Sequence, residues 1–252
     1  MKLIPIIILA AILTIGIGSY DEAYATIDSG SVTGGTAQGL GGTFMKVAPP
    51  IPSPASPSAD CPSANSVGDN CQQTPDLWGF DEDQNIILAA PLNVDDLAAG
   101  GVGTGPGVLP IGTTVASHYV YFDPGPSTSI LGMVTFDSDI VAVISSTGNL
   151  LASDFLANTG VNYLNPGLRG LEAGDVVIIS SDTVLIDFTA SDPGDYVRVL
   201  TEFSPGAAVI GGEIIPINSA VLLIAGAQAN LVWLAPLVLA GSGIGLALFR
   251  RK

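Results

Sequence analysis

Between residues 78 and 203, apolar and β-branched residues come in short bursts separated by turn formers. The bursts are IILAAPLNV (86–94), TTVASHYVYF (113–122), SILGMVTF (129–136), DIVAVISS (139–146), DVVIIS (175–180), TVLIDFTA (183–190) and YVRVLTEF (196–203). Each is rich in Val, Ile, Thr and aromatic residues, which suit a pleated, half-buried surface. The breaks DPGPST, DSD, EAGD, SSD and DPGD are turn chemistry. Asp123, Asp192 and Asp195 are read as turn formers in such breaks. One short helix is predicted at LLASDFLAN (150–158), with Ser146 or Thr147 near its start. Short strands at this spacing predict an all-β domain over 76–205, an antiparallel β-sandwich of jelly-roll type. No internal repeat is visible.

The two ends break this rhythm. MKLIPIIILAAILTIGIGSYDEAYA opens with Lys2, runs apolar from Leu3 to Gly18, and closes on the small-x-small site Ala23-Tyr24-Ala25. That layout predicts a signal peptide, 1–25, with the mature chain beginning at Thr26. At the other end, Leu231 to Phe249 is nineteen residues without a charge, followed by Arg250, Arg251 and Lys252. As a helix, this span is about 28 Å long, close to a bilayer core of about 30 Å. Apolar character starts near Ser219, so 219–249 is expected to span a membrane after a linker at 206–218. The basic tail 250–252 is expected to stay cytoplasmic and leave the body outside. The lipid bilayer is thus the first expected partner, at a cell membrane crossed once.

Residues 26–75 have a different texture. TIDSGSVTGGTAQGLGGTF (26–44) is Gly/Ser/Thr-rich, and reads either as a loose edge strand or as flexible chain. VAPPIPSPASPSA (47–59) holds five prolines and no charge, as in an extended spacer. Cys61 and Cys71 follow, and the chain has no other cysteine. An even count in an exported protein predicts a disulfide, and closing so short a loop is worth roughly 3 kcal/mol. The bond is expected to matter little to the sandwich, because it precedes the first confident strand.

Charge narrows the partners. The net charge is −16, with 23 acidic and 7 basic residues. Nucleic acid is excluded as a partner for want of a basic patch. Other cell-surface proteins, surface polymers and hard cations remain. Asp81, Glu82 and Asp83 form one acidic cluster and Asp95 and Asp96 another, and clustered loop carboxylates are what calcium needs. Their spacing is not that of an EF-hand, glycine at the turning position is missing, and a solvated acidic surface is the simpler reading. Hydrolysis needs a nucleophile, a base and an orienter. His118 is the only histidine. Its neighbour Ser117 points to the opposite face of a strand, and no G-x-S-x-G elbow occurs. No catalytic residue is therefore assigned. Arg169 and Arg198 are two of only three basic residues between the apolar ends, and each is expected to pair with nearby carboxylates.

Two stretches resemble known groups. GTTVASHYVYFDPGPSTSILGMVTFDSDIVAVISSTGNLLASDFL, continuing through NPGLRGLEAGD and DPGDYVRVLT, resembles an uncharacterised exported domain of bacterial surface proteins that carry PEP-CTERM sorting tails. The likeness covers about 110 residues and implies export and fold, not an activity. GGEIIPINSAVLLIAGAQANLVWLAPLVLAGSGIGLALFRRK looks like the C-terminal tails of archaeal surface proteins, especially those of ammonia oxidisers. Where a sorting tail has a Pro-Glu-Pro-like motif, this chain reads Ile215-Pro216-Ile217-Asn218, so permanent anchoring is the simpler expectation. The resulting expectation is an anchored surface or envelope protein, structural or adhesive. The alternatives are an anchored hydrolase of envelope polymer and a calcium-dependent binding module.

Overall fold

The computed structural model describes residues 25–51, 61, 65–68 and 71–202. The described chain is mostly β. Its strands are β1 (Ile27–Gly34), β2 (Phe44–Lys46), β3 (Ser66–Val67), β4 (Leu77–Asp81), β5 (Ile86–Ile87), β6 (Leu92–Val94), β7 (Asp96–Ala99) and β8 (Val102–Gly103). Then come β9 (Gly107–Leu109), β10 (Thr114–Phe122), β11 (Thr128–Phe136), β12 (Ile140–Ile144), β13 (Asn162–Tyr163), β14 (Val176–Ser180), β15 (Thr183–Ala190) and β16 (Asp195–Thr201). Helix α1 is Gly35–Gly39 and α2 is Thr147–Ala152. Among the described residues, twelve strands form one sheet in the order β1-β11-β15-β14-β8-β7-β12-β16-β10-β4-β2, with β5 on β10. Strands β3 and β13 make a small parallel pair, and β6 and β9 a small antiparallel one.

The two halves of this sheet enclose one apolar cluster. Ile130, Val134, Ile186 and Phe188 from one half meet Val120, Phe122, Val197 and Val199 from the other. The first half is wet on its outer side, so β11 and β15 alternate buried and exposed positions. The second half is covered on both faces. Eight of the nine residues of β10, and all seven of β16, are buried. Their outer face carries a second cluster in which Phe80, Tyr119, Tyr121 and Tyr196 pack against Leu150, Leu156, Val67 and Ile51 from the covering segments. Four tyrosine and phenylalanine rings cluster there with centroids 5.6–6.2 Å apart, Tyr196 stacking on Tyr119 and Tyr121 while Phe80 meets Tyr121 edge-on.

The Gly/Ser/Thr-rich stretch resolves as β1, paired with β11 from Ile27↔Phe136 to Gly34↔Leu131. The sheet therefore begins well before residue 76. Phe44 explains the near-closure of the sheet. A Cβ on Gly30 would lie 2.5 Å from its ring and one on Gly79 would lie 3.2 Å from it. The ring of β2 thus lies directly on the backbones of β1 and β4, and only glycine leaves it room. The predicted helix at 150–158 is shifted towards its N-terminus: α2 starts after the N-cap residue Ser146, and a 3₁₀ turn follows at Asp154–Leu156. Among the described residues no helix is long and apolar enough to cross a membrane. Of the segments read as signal (1–25), linker (206–218), membrane span (219–249) and tail (250–252), all but Ala25 lie outside them.

Cys61 and Cys71 are joined, with Cα atoms 4.9 Å apart. Both cysteines are buried, at 1% and 0% exposure, which argues for a larger contribution to the domain than a place in a spacer suggests. Nearby, the Gln72 N–H donates to Asp123, and Asn65 joins Ile51 to the covering layer. Replacing both cysteines with serine is expected to cost about 3 kcal/mol, measured as a drop in the urea midpoint at unchanged slope. A loss below about 0.5 kcal/mol would return the bond to the status of an ornament on a spacer.

Candidate functional site

Side chains alternate across a strand, so consecutive residues serve opposite faces. This separates Asp81 from Glu82 and His118 from Ser117, and builds two polar networks on either side of one wall.

The first network lies on the inter-sheet side. The Nδ1 of the His118 ring is 2.8 Å from Asp81 Oδ1, and its Nε2 is 3.0 Å from Thr201 Oγ1. Register sets this up, since His118 is opposite Asp81 on β4 and opposite Val199 on β16, two residues from Thr201. Asp81 also accepts the Ile27 N–H at 2.9 Å and the Thr26 hydroxyl at 2.7 Å, and Lys46 Nζ lies 3.4 Å from it. Burial alone would raise the Asp81 carboxyl, but the hydrogen bond and charge of His118, with the Ile27 and Thr26 donors, outweigh it and bring it to about 2. Its contribution to stability is thus present above about pH 3.8 and is lost as pH falls toward 2. Carboxylate, imidazole and hydroxyl follow one another as in a hydrolase relay. Here, however, His118 and Thr201 are both at 0% exposure and the ring packs on Phe136 at 4.9 Å. The arrangement links three strands.

The second network lies under the covering layer. Arg198 grips Glu82 through Nε at 2.6 Å and Nη2 at 3.0 Å, a bidentate pair between side chains that are both at 0% exposure. Its Nη1 donates to Ser153 Oγ and to the Leu150 carbonyl at the end of α2. Glu82 also accepts the Ser117 hydroxyl at 2.7 Å and the Tyr163 hydroxyl at 2.5 Å. Arg169 reaches Asp154 at 2.6 Å and lies over the Tyr163 ring. Burial disfavours the charged Arg198, but the Glu82 carboxylate more than offsets this and holds the guanidinium firmly protonated. Burial, and next the Glu82 charge, push the Tyr163 phenol far up, so it serves as a fixed donor. Both arginines thus pair with carboxylates, as their rarity suggested, but Arg198 finds its partner 116 residues away.

The acidic clusters are dispersed by the same geometry. Asp81 and Glu82 face opposite sides, and Asp83, whose backbone bonds to Ser117 and Leu156, is pushed up by burial and by the Glu82 charge. Asp95 is engaged by Ser145 N, Ser146 N, Ser146 Oγ and Asn149 Nδ2, all at 2.7–2.8 Å, where it holds the start of α2. Asp96 accepts the Gly105 N–H at 2.7 Å. Among the described residues no three His, Cys, Asp or Glu side chains come together as a group able to hold a metal.

A feature that the sequence did not announce is a cleft of about 680 Å³ between β14 on one side and β7, β8 and the end of β12 on the other. Its rim carries Asp95, Asp96, Glu172 and Asp175, and Val102, Val176 and Ile178 supply apolar wall. Asp95 and Asp96 were visible as an acidic cluster and EAGD as a turn, but nothing local said that these two segments would face one another. Compared with protein-family models, curated proteins and solved structures, the chain matches none of them.

Proposed function

We propose that the protein is an exported β-domain displayed on a membrane by one C-terminal helix, with a structural or binding role at the cell surface. The proposed arrangement is a jelly-roll-like sandwich outside, the span 219–249 in the bilayer, and Arg250, Arg251 and Lys252 inside. The observation that carries the non-catalytic part is the fate of the only histidine. His118 has no exposed surface, and both its ring nitrogens are used to tie strands together. A general base needs reach to a substrate proton, and this ring is committed elsewhere. The disulfide between Cys61 and Cys71 supports an oxidising compartment, where such bonds persist. The charge-free run Leu231 to Phe249 before three basic residues supports the anchor.

Truncation before Leu231 is expected to move the protein from the carbonate-washed membrane pellet to the soluble fraction. In intact cells the full-length body is expected to be cut by external protease. A truncated form that stays in the pellet, or a full-length body shielded from external protease, would overturn the assignment.

A further inference from the structure

We infer that the unpaired edge of β14, inside the acidic cleft, is a docking site for an extended peptide strand of another protein, with basic residues alternating with aliphatic ones. The sheet is incomplete at this point. Hairpin β7–β8 lies between β12 and β14, pairing with β12 at Ala142↔Leu97 and Val143↔Asp96. On its other side β8 is two residues long and meets β14 only at Ser180↔Val102. Past Gly103 the chain keeps to β7 and makes no further pair with β14: Thr104 bonds to the Leu97 carbonyl through both N–H and hydroxyl, and the Gly105 N–H goes to Asp96. The places opposite Val176 to Ile178 therefore have no strand partner among the described residues, and the cleft is that gap. Three residues of strand span about 10 Å.

The backbone of the gap is set for strand addition. β14 and β15 are joined by the two-residue turn Ser181–Asp182, which makes Ser180 and Thr183 a hydrogen-bonded pair. Counting back, Ile178 and Val176 also bond to β15. Val177 then turns its amide and carbonyl toward the cleft, and Ile179 its amide, while the Ile179 carbonyl faces Gly103 of β8 beside the Ser180↔Val102 pair. An incoming strand gains main-chain bonds from that edge, and its side chains meet the walls. Val176, Ile178 and Val102 are 42%, 52% and 56% exposed and offer aliphatic contact.

Charge selects the occupant. Asp96, Glu172 and Asp175 line the cleft. The three basic side chains among the described residues are each held elsewhere: Lys46 by Asp81, Arg169 by Asp154 and Arg198 by Glu82. Nothing in the described chain neutralises the rim. A basic strand is attracted there, whereas a second copy of this chain, itself at −16, would bring like charges together.

The test uses detergent-solubilised full-length protein and a dye-labelled Val-Lys-Val-Lys-Val-Lys peptide, followed by fluorescence anisotropy and amide hydrogen exchange. Saturable binding is expected, with the Val177 amide slowed at least about tenfold at saturation. Glu172→Lys is expected to weaken binding by about tenfold or more, and the remote exposed change Asp28→Lys by less than about twofold. Equal losses from both variants would reduce the attraction to net charge, and equal binding of the Val-Glu-Val-Glu-Val-Glu peptide would refute the charge selection. Absence of saturable binding, or of slowing at Val177, overturns the site. Slowing at Val177 that grows with protein concentration without peptide assigns the edge to a second copy and also overturns it. None of these results bears on membrane retention, so this proposal and the anchoring proposal fail separately.

Discussion

Replacing Arg198 with methionine is expected to destabilise the fold by about 3–5 kcal/mol, because it leaves the Glu82 carboxylate buried without its counter-charge. The Ser117 and Tyr163 hydroxyls would remain as the donors to Glu82. Neither replaces a bidentate guanidinium. The same change strips Leu150 and Ser153 of a donor, so the link between β16 and α2 goes too. The expected signature in chemical denaturation is a lower midpoint with an unchanged slope. The double variant Glu82→Gln with Arg198→Met is expected to recover at least about 1 kcal/mol of the single variant's loss, since an unpaired buried charge costs more than a neutral polar group. A double variant as unstable as the sum of the two singles would show that the pair is not coupled.

Asp195→Asn is expected to act in the opposite direction. Asp195 opens β16 beside Phe122 at 1% exposure, and its Oδ2 has no hydrogen-bond partner among the described residues. Burial, and next the charges of Asp175 and Glu172, raise its carboxyl from 3.8 to about 8. A carboxyl raised in the folded state binds its proton longer there than in the unfolded chain. Folding stability therefore falls as pH climbs from about 4 to about 8, and the full penalty applies above that. Asparagine has nearly the same shape and no charge to bury. The variant is expected to be more stable by about 2 kcal/mol or more at pH 9, to differ little near pH 4, and to lose most of the slope between. Parallel slopes for the two proteins across pH 4–9 would remove Asp195 as the cause. The wild-type carboxyl gives up stability at the end of the sheet that its neighbour Gly194 helps to turn. No function described above needs that sacrifice.

The two networks also say why a hydrolase reading is tempting and weak. An Asp-His-Thr line and a Glu-Arg-Tyr cluster look like machinery when their distances are read alone. Their burial gives a different account: the first adds side-chain links between strands that already pair, and the second ties the sheet to its covering layer, at sites where stranded charges would be costly. The accessible chemistry lies instead at the β14 edge, where the sheet stops short.

Local sequence was enough for whatever depends on neighbours in the chain. Six of the seven apolar bursts correspond to single strands, while IILAAPLNV splits into β5 and β6, and the agreement follows because strand propensity and turn chemistry are short-range. The opposed faces of Ser117 and His118 followed from the two-residue period alone. Cys61 and Cys71 had no other partner to choose. Tertiary structure decided the rest. The strand at 27–34 has too little apolar character to be told from flexible chain by sequence, and exists because β11 supplies its hydrogen bonds and Phe44 lies over its glycine. Glu82 and Arg198 are 116 residues apart, and only the order β16-β10-β4 brings them together. The acidic triplet 81–83 looked like one site and became parts of two, because the pleat sends successive carboxylates to opposite sides. The open edge of β14 depends on where β8 stops pairing with it, and Asp96 and Leu97 decide that by capturing Gly105 and Thr104 across the hairpin.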